Sequence, residues 1–171
     1  MSPAGRGSAR GRRRPAEAVP RARRTTARPD LVLSIPSETS FLSLVKDLTK
    51  KMAESAGFVE GTTDRVALAV DEAATNVIEH AYHGAPGRTF ELRYEDRAAE
   101  FQVEVVDTGA MVNLRAMPRV DLDRYVSEHR TGGLGVHLME KIMDSVTFQR
   151  SARRNICRLV KRKDSTGTER G

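Results

Sequence analysis

Two helix-patterned segments follow one another before any paired strands appear, and this order constrains the fold more than any other feature of the chain. In 38–56, Phe41, Leu44, Val45, Leu48 and Met52 recur at spacings of three and four and form one apolar stripe. In 65–82, Val66, Val70, Ala73, Val77, Ile78 and Ala81 do the same, and Ala67, Ala69 and Ala74 add small residues that permit close packing. Ser37 stands where an N-cap belongs, and Gly57 where a C′ glycine would end the first helix. Gly61-Thr62-Thr63-Asp64 reads as a linker into the second helix, and His83-Gly84-Ala85-Pro86-Gly87 as its stop.

Strand patterns surround this pair. A short apolar run at 31–35 precedes it. After it, Phe90, Leu92 and Tyr94 alternate with Glu91, Arg93 and Glu95, and Phe101, Val103 and Val105 alternate with Gln102 and Glu104. The short connection 96–99 makes these a hairpin with one wet face. A helix is expected over 132–143, with Leu134, Leu138, Met139 and Ile142 as its stripe, then strands at 145–149 and 155–160. The βα alternation of a doubly wound sheet is missing. The pattern predicts an α+β two-layer sandwich, with helices packed on one face of a mixed or antiparallel sheet.

At 171 residues the chain is one domain's worth. One cysteine excludes an internal disulfide framework, and no run of about 18 apolar residues exists to span a membrane. The Arg-rich start lacks the apolar stretch of a secretory signal, so a cytoplasmic protein is expected. Charge is uneven. Residues 1–30 carry nine Arg against Glu17 and Asp30, a balance of +7, while 31–171 balance at −1. The first 30 residues, rich in Gly, Pro, Ala and Ser, are expected to be a disordered basic tail. It reads as a solubilising or upstream-translated extension, as an electrostatic arm for nucleic acid or an acidic partner, or as an organelle leader. The near-neutral body argues against direct nucleic-acid binding by the folded domain, 31–162. Residues 163–171 read as a polar tail.

Three segments could carry chemistry. Glu72, Asn76 and His80 are spaced by four, so a regular helix sets them along one line. A carboxylate and a carboxamide one turn apart can serve as a base and a hard oxygen ligand for Mg²⁺, which takes few protein oxygens beside phosphates and waters. The same residues also suit a plain solvated helix face. Asp107-Thr108-Gly109 ends an apolar strand: the carboxylate could accept from an amine of a base, or the segment could be a simple turn. Gly132-Gly133-Leu134-Gly135 opens a helix, where uncovered amides favour phosphate, or where the glycines serve only as a hinge. Residues 110–131 are long for a connection between core elements, as lids and binding loops are. His80, His83 and Cys157 make a poor zinc set, and Cys157 reads as an inert core thiol.

Taken in order, these segments resemble a known family. Glu72-Ala-Ala-Thr-Asn76-Val-Ile-Glu-His80-Ala-Tyr82 is similar to the N box of the histidine-kinase-like (GHKL) ATPases. Asp107-Thr108-Gly109 resembles their first glycine box, and the segment from Gly132 to Asp144 their second. The wording is nearest the RsbW/SpoIIAB-like anti-sigma factor serine-protein kinases, over roughly residues 31–162. The resemblance implies an ATP-dependent serine/threonine protein kinase that binds and inhibits a sigma factor and phosphorylates an anti-anti-sigma (STAS-domain) partner, in a bacterial cytoplasm. It implies Glu72 as general base, Asn76 as the Mg²⁺ ligand and Asp107 as reader of the adenine amine, with Gly109 admitting the ring. Gly132, Gly133, Leu134 and Gly135 would receive phosphates, 110–131 would be the ATP lid, and a homodimer is allowed. Without useful turnover, the same features would suit an ATP-binding anti-sigma or partner-switch module. The chain departs from the pattern at Ala110 and at Arg153-Arg154-Asn155-Ile156-Cys157, where the family often has a Gly-Thr before the final strand.

Overall fold

The computed structural model describes residues 28–110 and 134–163. Apart from their bordering residues, the two tails and the segment expected to be a lid lie outside that range. Among the described residues, five strands form one sheet: β1 (Leu31–Pro36), β2 (Thr89–Asp96), β3 (Glu100–Asp107), β4 (Ser145–Ser151) and β5 (Arg154–Arg162). Among the described residues, three α-helices accompany them: α1 (Leu42–Ser55), α2 (Glu60–Asn76) and α3 (Leu134–Ile142). The strand order is β1-β2-β3-β5-β4, and every neighbouring pair runs antiparallel. The expected two-layer α+β sandwich is the observed fold, with a sheet that is antiparallel between all neighbours.

The strand alternation divides the sheet into two faces. Phe90, Leu92 and Tyr94 of β2, Phe101, Val103 and Val105 of β3, and Leu159 of β5 are almost wholly buried in the core that the helices share. The Tyr94 hydroxyl reaches the Thr49 hydroxyl at 2.8 Å, and Thr49 in turn donates to the Val45 carbonyl, tying α1 to the sheet. Burial pushes the Tyr94 phenol up to about 12, so it stays neutral. The opposite face is polar. Arg93 bonds Glu91 and approaches Glu104 at 3.7 Å, and Arg158 reaches Glu104 at 2.8 Å, which gives a cross-strand ladder of opposite charges.

Gly57 ends α1 as expected. Its φ is +94°, with Gly57 N–H donating to the Glu54 carbonyl and Phe58 N–H to the Ala53 carbonyl, the two bonds of a Schellman cap. Two boundaries differ from expectation. Ser37 is not an N-cap: its side chain is buried without a partner, and a 3-10 turn (Thr39–Phe41) leads into α1. The stretch 61–64 is not a linker but part of the first turns of α2, which starts at Glu60. Thr63 is fully buried and its hydroxyl donates to the Glu60 carbonyl, so tertiary packing outweighs the weak propensity of Gly and Thr there.

Candidate functional site

The end of α2 departs from a regular helix. A π turn (Val77–Ala81) follows Asn76, and Tyr82 N–H donates to the Val77 carbonyl, five residues back. Such a turn adds residues per revolution and so rotates everything after it. Glu72 and Asn76 lie within the regular part of α2, and His80 lies within the π turn. The π turn also places Ala81 and Tyr82 against the end of β3. Ala110 N–H donates to the Ala81 carbonyl, and Thr108 N–H to the Tyr82 hydroxyl at 3.1 Å, while that hydroxyl donates to the Thr89 carbonyl at 2.7 Å.

Asp107 continues the helix-facing side of β3 and is 7% exposed. Its Oδ1 accepts from Gly109 N–H at 2.7 Å and from Asn155 Nδ2 at 2.8 Å. Asn155 lies directly across from it in β5. Gly109 is required by packing, since a Cβ there would overlap the Ala81 carbonyl group, 2.7 Å from its carbon. That reason is separate from the expected one, room for a ring.

These residues bound a cleft. Ala73, Asn76 and Val77 form one wall, Asp107 and Asn155 the floor, and Phe148, Ile156 and Cys157 the apolar side. Its free space, open mouth included, is about 530 Å³. Among the described residues, Asn76 Nδ2 and Asn155 Oδ1 are buried without hydrogen-bond partners. A buried unpaired polar atom costs on the order of 1–3 kcal/mol, so two of them beside one cleft point to a ligand that completes them. Cys157 is the inert thiol expected: burial, with Asp107 nearby, pushes it up to about 12.

Gly135, in the first turn of α3, lies beside Glu72 and Asn76, and Asn76 also lines the cleft. A Cβ on it would lie 2.6 Å from Glu72 Oε2 and 3.8 Å from Asn76 Nδ2. The helix that the glycine segment opens thus rests on the two α2 residues singled out by the sequence. Glu72 is held above the ordinary carboxylate range, chiefly by burial and then by the Asp71 and Glu79 charges, with Lys46 opposing. Gly132 and Gly133 lie outside the described residues, and of Leu134 only the backbone is described.

The family model for the histidine kinase-like ATPase domain matches residues 35–161, from β1 into β5. The chain belongs to that family. The serine-protein kinase RsbW of Bacillus pumilus is 31% identical over 131 residues, which cover 70% of this chain and 78% of that protein. RsbW of Bacillus subtilis is 26% identical over 122 residues, covering 68% and 76%. The fold is shared with a chain of the SiaB-SiaC complex of Pseudomonas aeruginosa, at a TM-score of 0.53 and 13% identity, covering 80% of this chain and 91% of that one.

The residues present suit the nucleotide that a histidine kinase-like ATPase domain implies. Asn76 brings a carboxamide whose donor has no partner, so it can meet a phosphate oxygen or, turned over, offer its oxygen to a hard cation. Two contributors escaped the sequence reading. Asn155 could be matched to Asp107 only once the β3–β5 register was known. Tyr82 was visible in the motif, but its grip on Thr108 depends on the π turn.

Proposed function

We propose that the chain is an ATP-dependent serine/threonine protein kinase that captures a sigma factor and phosphorylates an anti-anti-sigma (STAS-domain) partner. The observation that carries this reading is the close approach of Gly135 to Glu72 and Asn76, with Asn76 also lining the cleft that Asp107 borders. The homology to RsbW serine-protein kinases supports the reaction class. The sigma factor and the STAS acceptor come from that kinship alone.

In this mechanism the adenine enters the apolar cleft and its amine donates to Asp107. The phosphates lie toward the start of α3, since the first turn of a helix leaves N–H groups without intrahelical partners and favours negative charge. Asn76 would hold Mg²⁺, which when bound would neutralise charge on the phosphates. Glu72 accepts the proton of the acceptor's serine or threonine hydroxyl as that oxygen attacks the γ-phosphorus, and ADP departs. A carboxyl held above its ordinary range is a better proton acceptor than a fully solvated one, as general-base work requires. The rest is positioning and charge, the main demands of phosphoryl transfer.

Isothermal titration with ATP, with and without Mg²⁺, tests the reading when the Asn76→Ala variant is run beside the unaltered chain. Metal-dependent binding that is lost in the folded variant supports it. No binding at millimolar ATP removes it, and leaves a fold used for protein–protein contact.

A further inference from the structure

Asn155, the second residue of β5, lies opposite Asp107. Its Nδ2 donates to Asp107 Oδ1 at 2.8 Å and to the Gly109 carbonyl at 3.2 Å. Both partners are pure acceptors, and this fixes the orientation of the amide. Turned over, it would set its oxygen against a carboxylate and a carbonyl and lose both bonds. The donor is therefore locked inward, and Oδ1 stays buried with no partner among the described residues. Gly109 N–H holds the same Asp107 oxygen at 2.7 Å. The carboxylate is gripped from two sides through one oxygen, and neither bond uses the other oxygen.

We propose that Asn155 is the positioning residue that sets the base selectivity of this cleft: its locked amide holds Asp107 in place and keeps the floor acceptor-only, so a purine with an amino group at position 6 is admitted and a 6-keto purine is refused. This rests on the nucleotide reading above and deepens it. A 6-amino group can give an N–H to the floor. A 6-keto oxygen would face a carboxylate and an amide oxygen with no proton between them. A site built to receive an N–H rejects analogues that lack it far more strongly than an apolar pocket rejects a change of size. An Asn155 free to turn would lose this discrimination, because an amide that can flip offers a donor as readily as an acceptor.

The test is equilibrium binding of ATP and of inosine triphosphate to the full chain at constant Mg²⁺, for the unaltered protein, Asn155→Ala and Asn155→Ser. These two nucleotides differ only at the edge in question. The unaltered chain should prefer ATP by about 100-fold or more. Asn155→Ala should lower that ratio by about tenfold or more, chiefly by weakening ATP. Asn155→Ser, which keeps a hydroxyl donor beside Asp107, should retain more of the ratio than Ala does. Thermal melting establishes that each variant is folded, and a packing role alone would weaken both nucleotides together and leave the ratio unchanged. An unchanged ratio in folded Asn155→Ala, or equal affinities in the unaltered chain, overturns the role of Asn155 and leaves the ATP site standing. If the unaltered chain binds neither nucleotide, the ATP reading itself falls, and this inference with it.

Discussion

A single methyl group added to Gly135 would lie 2.6 Å from Glu72 Oε2, so the first turn of α3 rests against the carboxylate proposed as the base. What it meets is the far end of a flexible side chain, not backbone. Gly135→Ala should therefore displace Glu72 and leave the fold intact. Phosphotransfer to the acceptor should fall on the order of 100-fold, the scale of a 1 Å misplacement of a reacting group. The melting temperature should hold or rise slightly, since alanine favours a helix over glycine. Parallel melting and phosphotransfer assays check both halves, and a large loss of stability would show that the contact is structural.

Glu72 gives a prediction with a definite sign in pH. Its folded pKa is raised, first by burial and then by Asp71 and Glu79, so the folded state favours the protonated form. The stability this contributes is complete below the unfolded pKa and is lost as pH rises through the folded one. At neutral pH the charged side chain is a slight burden, and Glu72→Gln should melt no lower than the unaltered chain. The base, by contrast, works only when ionised. Phosphotransfer should rise with pH through an acid limb lying above 4.5, the ordinary glutamate value, and the Gln variant should lose about 10²–10⁴-fold in rate and that limb with it. Transfer at the unaltered rate would place the base elsewhere.

The main layers of this fold were legible because periodicity reports burial directly. The stripes of 38–56 and 65–82 and the alternation through Phe90–Tyr94 and Phe101–Val105 became the two helices and the hairpin of the core. Boundaries were less legible where tertiary packing overrules local preference, as at Gly61–Asp64, drawn into α2 by the burial of Thr63. Of the site, the pair Glu72 and Asn76 followed from helical spacing, whereas the π turn that carries His80 has no signature in spacing alone. Asn155 was unreadable for a different reason. It meets Asp107 across 48 positions of chain, and only the antiparallel register joins them.

Gly109→Ala tests the joint between α2 and β3. The new Cβ would run into the carbonyl group of Ala81, which is backbone and fixed by its own bond from Ala110. Overpacking of this kind costs about 1–3 kcal/mol. The variant should melt several degrees lower, and its ATP affinity should drop as well, because Gly109 N–H also holds Asp107. Differential scanning calorimetry with and without ATP separates the two effects. An unchanged melting temperature would mean that the loop relaxes freely, contrary to the packing observed.

Tyr82→Phe isolates one hydroxyl at the same joint. That oxygen accepts from Thr108 N–H at 3.1 Å and donates to the Thr89 carbonyl at 2.7 Å, and Tyr82 itself is 6% exposed. Removing it strands a donor and an acceptor while the ring still fills its place. Part-burial of these groups puts the cost on the order of 1–3 kcal/mol, paid mainly where β2 and β3 meet the end of the π turn. Thr108 is next to Asp107, so loosening its backbone should also weaken ATP by a smaller factor than Asp107→Ala does. Hydrogen exchange would locate the effect: the Thr108 amide should lose protection first, ahead of the β3 amides from Phe101 to Val105 deeper in the sheet. Uniform loss across β3 would instead mean that the hydroxyl supports the whole strand, and that the π turn anchors the sheet rather than the Asp107 segment alone.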